Sequence, residues 1–399
     1  MRSRTRPSNK HSRIRRKKTT RLGSILLASV LLGTFTYCLY RLFTPRHTPP
    51  HLFPIYETYS SEGVQTEVKD IDRCVYDALL ALNVAPRDVT FQTVESKRHR
   101  QEVWTFSELE IRLPRQISHS TVKEVFIARL SERIPKKCLR FASVTQQKLI
   151  LDLHVNGWHT HRLTFLKRRE RGLAATPPSS LPKVAIIIDD LGYDKRLASK
   201  FLILDAVMSF SVLPHSPFQK SIAKTIHRSG RDVLLHLPME PMEYPLVDPG
   251  AGALLSSMGP DDLLNQLRND LEAVPLAVGV NNHMGSRLTQ DRARMRQIFT
   301  ILKKRNLFFV DSLTSPRSCC QETAHLLNLK FAQRNVFLDH VQEPNAIRFQ
   351  IKRLISVARK KGKAIGIGHP YPTTLEVLRE ELPNIKKRVG LVRISELVG

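Results

Sequence analysis

Acidic and histidine side chains recur at the ends of hydrophobic runs in the second half of this 399-residue chain, and their types are those of hydrolytic chemistry. The run Val184-Ala-Ile-Ile-Ile ends in Asp189 and Asp190. Val233-Leu-Leu ends in His236, with Glu240 four residues on, and Leu276 to Val280 leads into Asn281-Asn282-His283. Leu307 to Val310 ends in Asp311, Val336 to Leu338 in Asp339-His340, and Ala364 to Ile367 in Gly368-His369. Two adjacent carboxylates repel, so one of Asp189 and Asp190 needs a cation or a proton beside it. Aspartate with neutral histidine is the ligand set of a catalytic zinc or related divalent ion, which keeps one position open for water. A carboxylate beside the metal can take a proton from that water, and a histidine opposite can protonate the leaving group. One buried histidine is more often a satisfied core residue; repetition at one class of position marks a site. Covalent and nucleotide chemistry are disfavoured. There is no G-x-S-x-G elbow, Cys319 and Cys320 lack a strand-end context, Gly366-Ile-Gly368 is too short for a dinucleotide fingerprint, and no Walker loop occurs.

These side chains need strands to hold them. Five apolar residues in a row, Val184 to Ile188, read as a strand buried on both faces, as in a parallel α/β sheet or barrel. Further strands are expected at Val207–Leu213, Val233–Leu235, Leu276–Val280, Leu307–Val310, Val336–Leu338 and Ala364–Ile367. Helices are expected at Asp194–Leu204, Pro217–Arg228, Pro260–Ala273, Thr289–Arg305, Pro344–Lys361 and Thr373–Leu382, several with proline near their starts. Seven strands alternating with helices over residues 183–399 favour a distorted (β/α) barrel over a flat doubly wound sheet, with polar strand ends on the C-terminal rim.

Upstream the composition changes. Residues 1–21 hold ten Lys or Arg and no acid, and Leu22 to Tyr40 is a 19-residue uncharged run, about 28 Å as a helix. A basic cytoplasmic tail (1–21), one transmembrane helix (22–43) and a Pro-containing linker (44–70) are expected from this; a cleaved signal peptide is the rival, but the apolar run is long for one and no convincing small-x-small cleavage site follows it. The main domains are then expected on the outer, periplasmic or extracellular, side. Residues 71–170 alternate helical and strand patterns (Asp72–Leu82, Val89–Val94, Val103–Leu113, Ser120–Arg133, Lys148–Val155, His161–Leu166) and read as a small α+β domain. Its His154, His159 and His161 read as surface residues near a hairpin. A Pro/Ser-rich linker, 171–182, separates it from the barrel.

The chain carries a formal charge of +27, and the 12 Lys and Arg of residues 1–46 leave +15 of it for the remainder. That excess suits anionic lipid headgroups or acidic polysaccharides. No aromatic-basic sheet pattern or zinc-finger spacing is present, so nucleic acid is not an expected partner. Of five cysteines, Cys74 and Cys138 share the small domain, where a disulfide and two buried thiols are both open.

The segments VAIIIDDLGY, HLPMEP, GVNNHMGSRLT, FFVDSLTS and GIGHPYPTTL together resemble the divergent polysaccharide deacetylase family, relatives of the NodB-type carbohydrate esterases, over residues 183–399. The resemblance implies a distorted βα barrel and removal of acetyl groups from N-acetylated sugars with a divalent metal. By position, Asp189 matches the catalytic base and Asp190 the metal-binding aspartate. The usual second motif, two histidines four residues apart, appears here as His236 and Glu240. Glu240 would keep that spacing as third ligand; His283, from another strand, would keep two histidines and one aspartate and is favoured, leaving Glu240 to orient His236. His369 matches the late-motif histidine, a general acid. Arg287 and Asp311 could hold substrate or tune these groups, or form an ion pair at the rim. The expected function is deacetylation of an envelope polysaccharide or peptidoglycan-type glycan. The alternative is a glycan-binding or envelope-organising protein on the same barrel without the chemistry. A glycoside hydrolase fits worse, since adjacent acids cannot stand on opposite sides of a sugar.

Overall fold

The computed structural model describes residues 64–85, 88–99, 102–131, 139–145, 147–167 and 181–399. The basic tail, the transmembrane span expected at 22–43, Cys138 and most of the 171–182 linker lie outside the described residues. Among the described residues, no helix is long and apolar enough to cross a membrane.

The N-terminal module comprises α1 (Val64–Ala81), β1 (Val89–His99), β2 (Glu102–Leu113), α2 (His119–Ser131), β3 (Leu139–Val144), β4 (Lys148–Val155) and β5 (Trp158–Lys167), with sheet order β1-β2-β5-β4-β3. Helix α1 starts seven residues before the boundary expected at 71, because Val64 and Val68 are buried on the same stripe as Ile71, Val75 and Leu79. Strand β3 has no counterpart in the expectation.

The C-terminal domain alternates β6 (Lys183–Leu191), α3 (Lys195–Leu202), β7 (Ser209–Val212), α4 (Gln219–Arg228), β8 (Val233–Met239), α5 (Pro260–Ala273), β9 (Gly279–Met284), α6 (Arg292–Lys304), β10 (Phe308–Asp311), α7 (Cys320–Leu327), β11 (Phe331–Gln333), β12 (Val336–Phe337), α8 (Pro344–Lys361), β13 (Lys363–Gly368), α9 (Pro372–Lys386) and β14 (Gly390–Leu391). Local chemistry sets several boundaries. Asp194 caps α3 by accepting from the amides of Arg196 and Leu197, and Asp291 caps α6 by accepting from Arg294. The helix expected from Thr289 therefore begins at Arg292, after a 3₁₀ turn at Leu288–Gln290.

All nine strands of this sheet are parallel, in the order β11-β10-β9-β8-β7-β6-β13-β12, with β14 beside the start of β6. The sheet is ladder-bonded from β11 to β12 and open between them, so the expected barrel is a curled sheet with a seam. Only Arg334 and Asn335 separate its two end strands, which are therefore within about 11 Å of each other. The Arg334 amide donates to Asp311 and the Asn335 amide to Ile365, so this dipeptide stitches the seam.

Strand alternation divides the core in two. Val184, Ile186 and Ile188 of β6 face the helices, whereas Ala185 and Ile187 join Leu234, Phe308, Val310, Ile365 and Ile367 in a separate cluster on the concave face. Ile394 and Leu397 from the C-terminal segment complete that inner cluster. Continuing each inner parity by two residues reaches Asp189, His236, Ser312 and His369, so the layer above the apolar plug is polar.

The two modules share a buried ionic contact. Asp72 of α1 lies 3.0 Å from Arg353 Nη1 of α8 and 2.9 Å from His161 Nε2 of β5, all three buried. Phe349 packs edge-on against Phe91 and Tyr76, and Ser356 donates to the Phe91 carbonyl. His161 is thus no surface residue: the strand that ends the small domain turns it inward, where the Asp72 carboxylate receives it.

Candidate metal centre

Asp189 and Asp190 leave the sheet where the β6–β7 ladder breaks, between Ile188 and Leu191. Neighbouring residues on a strand point to opposite faces, which would send one carboxylate outward. Asp190 instead adopts φ 56°, and this left-handed residue returns its side chain to the inner face. His215, Met284 and Leu313, also near C-terminal strand ends, share positive φ at 55°, 52° and 51°. Such conformations cost on the order of 1–3 kcal/mol each and concentrate at functional sites.

Asp190, His236 and His283 meet on this rim. His236 Nε2 is 2.8 Å and His283 Nδ1 2.9 Å from Asp190 Oδ1, and the two ring nitrogens are 3.2 Å apart. One ligand atom from each lies within 4.8 Å of the others, and all three residues are buried. Neither Asp190 oxygen has an aligned hydrogen-bond donor, and the two ring nitrogens within reach of Oδ1 are in hydrogen-bond contact with each other, so the three groups converge on a common point. Tetrahedral zinc with ligands near 2.05 Å would set such atoms about 3.3 Å apart. The donor set fits a divalent ion after a small expansion.

Asn281 organises the floor. On β9 it shares a face with His283, two residues on. Its amide nitrogen donates to both Asp189 oxygens at 2.9 Å, and its oxygen accepts from His236 Nδ1 at 3.0 Å and from Ser211. The opposite amide orientation would set oxygen against carboxylate, so the network fixes the amide. A proton on His236 Nδ1 leaves Nε2, the nitrogen facing Asp190, as the lone pair for a cation. Sequence reasoning overlooked Asn281; its alternation with His283 along β9 was the available signal.

His369 closes the cluster, its Nε2 3.9 Å from Asp190 Oδ2. Its Nδ1 meets Asp339 Oδ1 at 2.8 Å, while the His369 amide and the Thr374 hydroxyl donate to Asp339 Oδ2 at 2.6 and 2.7 Å. Asp339, noted in the sequence only as a strand-end acid, is thus the orienter of the histidine. Met284, Ser312, Thr314 and Phe337 wall a small open pocket above Asp189, His236, His283 and His369.

The electrostatics follow from this packing. Burial would raise Asp190, but the charges and contacts of His283 and His236 override it and hold the carboxyl well below the usual range. Burial pushes Asp189 up, with the charge of Asp190 adding to it against the opposing His236. Burial would lower His369, yet Asp339, Asp190 and Asp189 push it up to about 9. Burial likewise opposes the charged form of His236, and the two aspartates raise it nevertheless. Without a cation the site therefore recruits protons in its place.

Glu240, Arg287 and Asp311 stand outside the three-residue cluster. Glu240 stands apart from the converging ligands. Its Oε2 accepts from the Ser256 amide at 2.5 Å, its Oε1 is 3.5 Å from Arg287 Nε, and its main chain binds the Leu254, Arg287 and Leu288 backbones. It fastens the β8–α5 connection and does not orient His236, whose partner is Asn281. Arg287 is half-exposed beside it and donates to the Met242 carbonyl at 2.5 Å, so its carboxylate partner is Glu240 and not Asp311. Asp311 has the parity of Phe309, not of Val310, and so faces the helices. It accepts from Ser318 Oγ and the Leu313 amide, fully buried, and ties its own turn.

Residues 186–398 match the divergent polysaccharide deacetylase family. The chain is similar to the uncharacterized protein YibQ of Escherichia coli (strain K12), 37% identical over 227 residues, which covers 57% of this chain and 70% of that protein. It is also similar to an uncharacterized protein of Haemophilus influenzae (strain ATCC 51907 / DSM 11121 / KW20 / Rd), 34% identical over 216 residues, 54% of this chain and 76% of that one. A crystal structure of an uncharacterized protein from Agrobacterium tumefaciens C58 is alike in fold, with a TM-score of 0.53 at 22% identity, covering 56% of this chain and 92% of that chain.

Proposed function

The chain belongs to the divergent polysaccharide deacetylase family, and from that premise we propose that it is a metal-dependent hydrolase that removes acetyl groups from an N-acetylated envelope polysaccharide or peptidoglycan-type glycan. The observation that carries the metal is Asp190, whose two buried oxygens lack an aligned hydrogen-bond donor while two histidine nitrogens converge on one of them. Asp190, His236 and His283 would hold the ion, zinc or a related divalent metal, which when bound would supply a Lewis acid for the acyl oxygen.

The protein groups account for the protons. Asp189, beside the pocket and held by Asn281, takes a proton as the water oxygen bonds to the acetyl carbon; its raised pKa makes that proton easier to keep. His369, protonated through Asp339, gives a proton to the sugar nitrogen as the carbon–nitrogen bond breaks, releasing acetate and an amine. The uncharged stretch Leu22–Tyr40 behind ten basic residues supports a single membrane span with both modules on the outer side.

The test is acetate release from chitooligosaccharides and peptidoglycan fragments by the full chain loaded with zinc, cobalt or manganese, with Asp189→Asn as control. Release by the wild type alone supports the reading. Glycan retained without acetate from either protein would move the chain to the binding role and overturn the hydrolase.

A further inference from the structure

In a parallel α/β sheet the α-to-β connections all lie at the pole opposite the strand ends that carry the site. In this chain that pole is basic. Lys304, Arg305, Lys330, Lys361, Lys387 and Arg388 are exposed there, and Lys183 and Lys363 are direct cross-strand neighbours on β6 and β13. Like charges directly opposite one another destabilise a sheet. Basic residues in the last turn of a helix complement its dipole, but Lys183 and Lys330 stand beyond the helices, where that account does not reach; Lys363, also beyond them, sets its Nζ on the Leu397 carbonyl at 2.9 Å. The exposed acids at this pole are Asp205, engaged by Lys386 at 2.6 Å, Glu272 in the last turn of α5, and Glu396 of the C-terminal segment, 3.4 Å from Arg393 Nε.

The same pole exposes aliphatic side chains. Ile203 and Val207 lie in the α3–β7 connection, Val278 precedes β9 and Leu326 ends α7, with exposures of 77%, 42%, 39% and 65%. The connections are tied to one another: Arg231 Nη2 donates to the carbonyls of Leu204 and Ala206, and Lys303 Nζ to that of Leu327. Protruding aliphatics interleaved with lysine and arginine match the chemistry of an anionic lipid surface, where the cations meet headgroups and the aliphatics enter the interface.

We propose that this basic, aliphatic-studded pole docks on an anionic phospholipid bilayer. Docking turns the opposite rim, with Asp190, His236 and His283, away from the lipid toward the aqueous side. The surface stands on its own composition, independent of the hydrolase reading.

Hydrogen exchange of the full chain, followed segment by segment, tests it in vesicles of phosphatidylcholine and of phosphatidylcholine mixed with phosphatidylglycerol. The basic N-terminal segment also favours the anionic vesicles, so the reading is the protection of the pole segments against that of the rim in the same chain, not total binding. Exchange should slow at 203–208, 276–278 and 303–307 in the anionic vesicles alone, and stay unchanged at 242–247 of the rim, where Met242 and Leu246 are also exposed. A Lys304→Glu, Arg305→Glu, Lys387→Glu variant should lower the ratio of docked to free protein by about fivefold or more for each cation lost. Ile203→Asp, at a position with little to unfold, should also reduce the protection. Protection that is absent, equal in both lipids, equal at the rim, or indifferent to both variants overturns the proposal. So does the same protection from dissolved polyphosphate without vesicles, which assigns the pole to a soluble polyanion.

Discussion

Asp190→Asn keeps the shape of a side chain and removes the one carboxylate in the three-residue cluster. In the metal-free chain this replaces a buried carboxylate, balanced by His283 and His236 at 2.9 and 2.8 Å, with a neutral amide. The expected change in stability is modest, within about 2 kcal/mol either way. With a divalent ion the consequence is larger. Losing an outer partner of a metal ligand alone costs about 10–100-fold in affinity, so losing a ligand and a unit of charge should cost about 100-fold or more. At an ion concentration near 100 times the wild-type Kd, the native site gains about 2.7 kcal/mol, while a 100-fold weaker site gains about 0.4 kcal/mol. For a domain of this size these correspond to rises in Tm of about 5–10 °C and about 1 °C. Thermal unfolding after chelation, repeated with added zinc, cobalt, nickel or manganese, reads the difference, with calorimetric titration for the affinities. Glu240→Gln is the control, since Glu240 holds the Ser256 amide and stands outside the cluster; its metal-induced shift should equal the wild type. Equal shifts in wild type and Asp190→Asn, or a shift lost in Glu240→Gln and kept in Asp190→Asn, would refute the ligand assignment.

Asp339→Asn removes the carboxylate that lifts His369 to about 9. A histidine with a raised pKa is protonated below it, so the variant should shift the alkaline limb of kcat/KM for acetate release downward, toward about pH 6.5; an unmoved limb argues against His369 as the acid. Asp72→Asn leaves Arg353 and His161 buried without their anion and should destabilise by about 3–5 kcal/mol in urea unfolding. Burial would raise Asp72, but Arg353 and His161 hold it well below the usual range. Its contribution is therefore complete above about pH 3.9 and lost as pH falls through the lower folded value, so stability curves of wild type and variant should converge in acid. Gly279→Ala would set a methyl 2.2–2.4 Å from three atoms of the Phe308 ring; overpacking of this kind costs about 1–3 kcal/mol. Tm measurements should register that loss, with part of it recovered in a Gly279→Ala, Phe308→Leu chain.

Much of the barrel domain was legible because buried parallel strands are short, wholly apolar and punctuated by polar ends. Val184–Ile188 and Ala364–Ile367 fall inside β6 and β13. What escaped were pieces too short to carry a period, namely β11, β14 and α7, of three, two and eight residues. His161 was misread because a β-strand residue's partner lies wherever the chain folds back; here it is 89 residues away on α1.

The sequence by itself determined which residue types collect at the strand ends, since hydrophobic runs that end in Asp or His state both the strand and its polar terminus. It could not determine which of those residues meet. Asp190 reaches the inner face through a left-handed φ, Asp311 is turned away by the parity of β10, and Asn281 joins Asp189 to His236 across residues 92 and 45 positions apart. Those outcomes depend on where each ladder breaks and on which strands the curl brings face to face, and only the folded sheet supplies both.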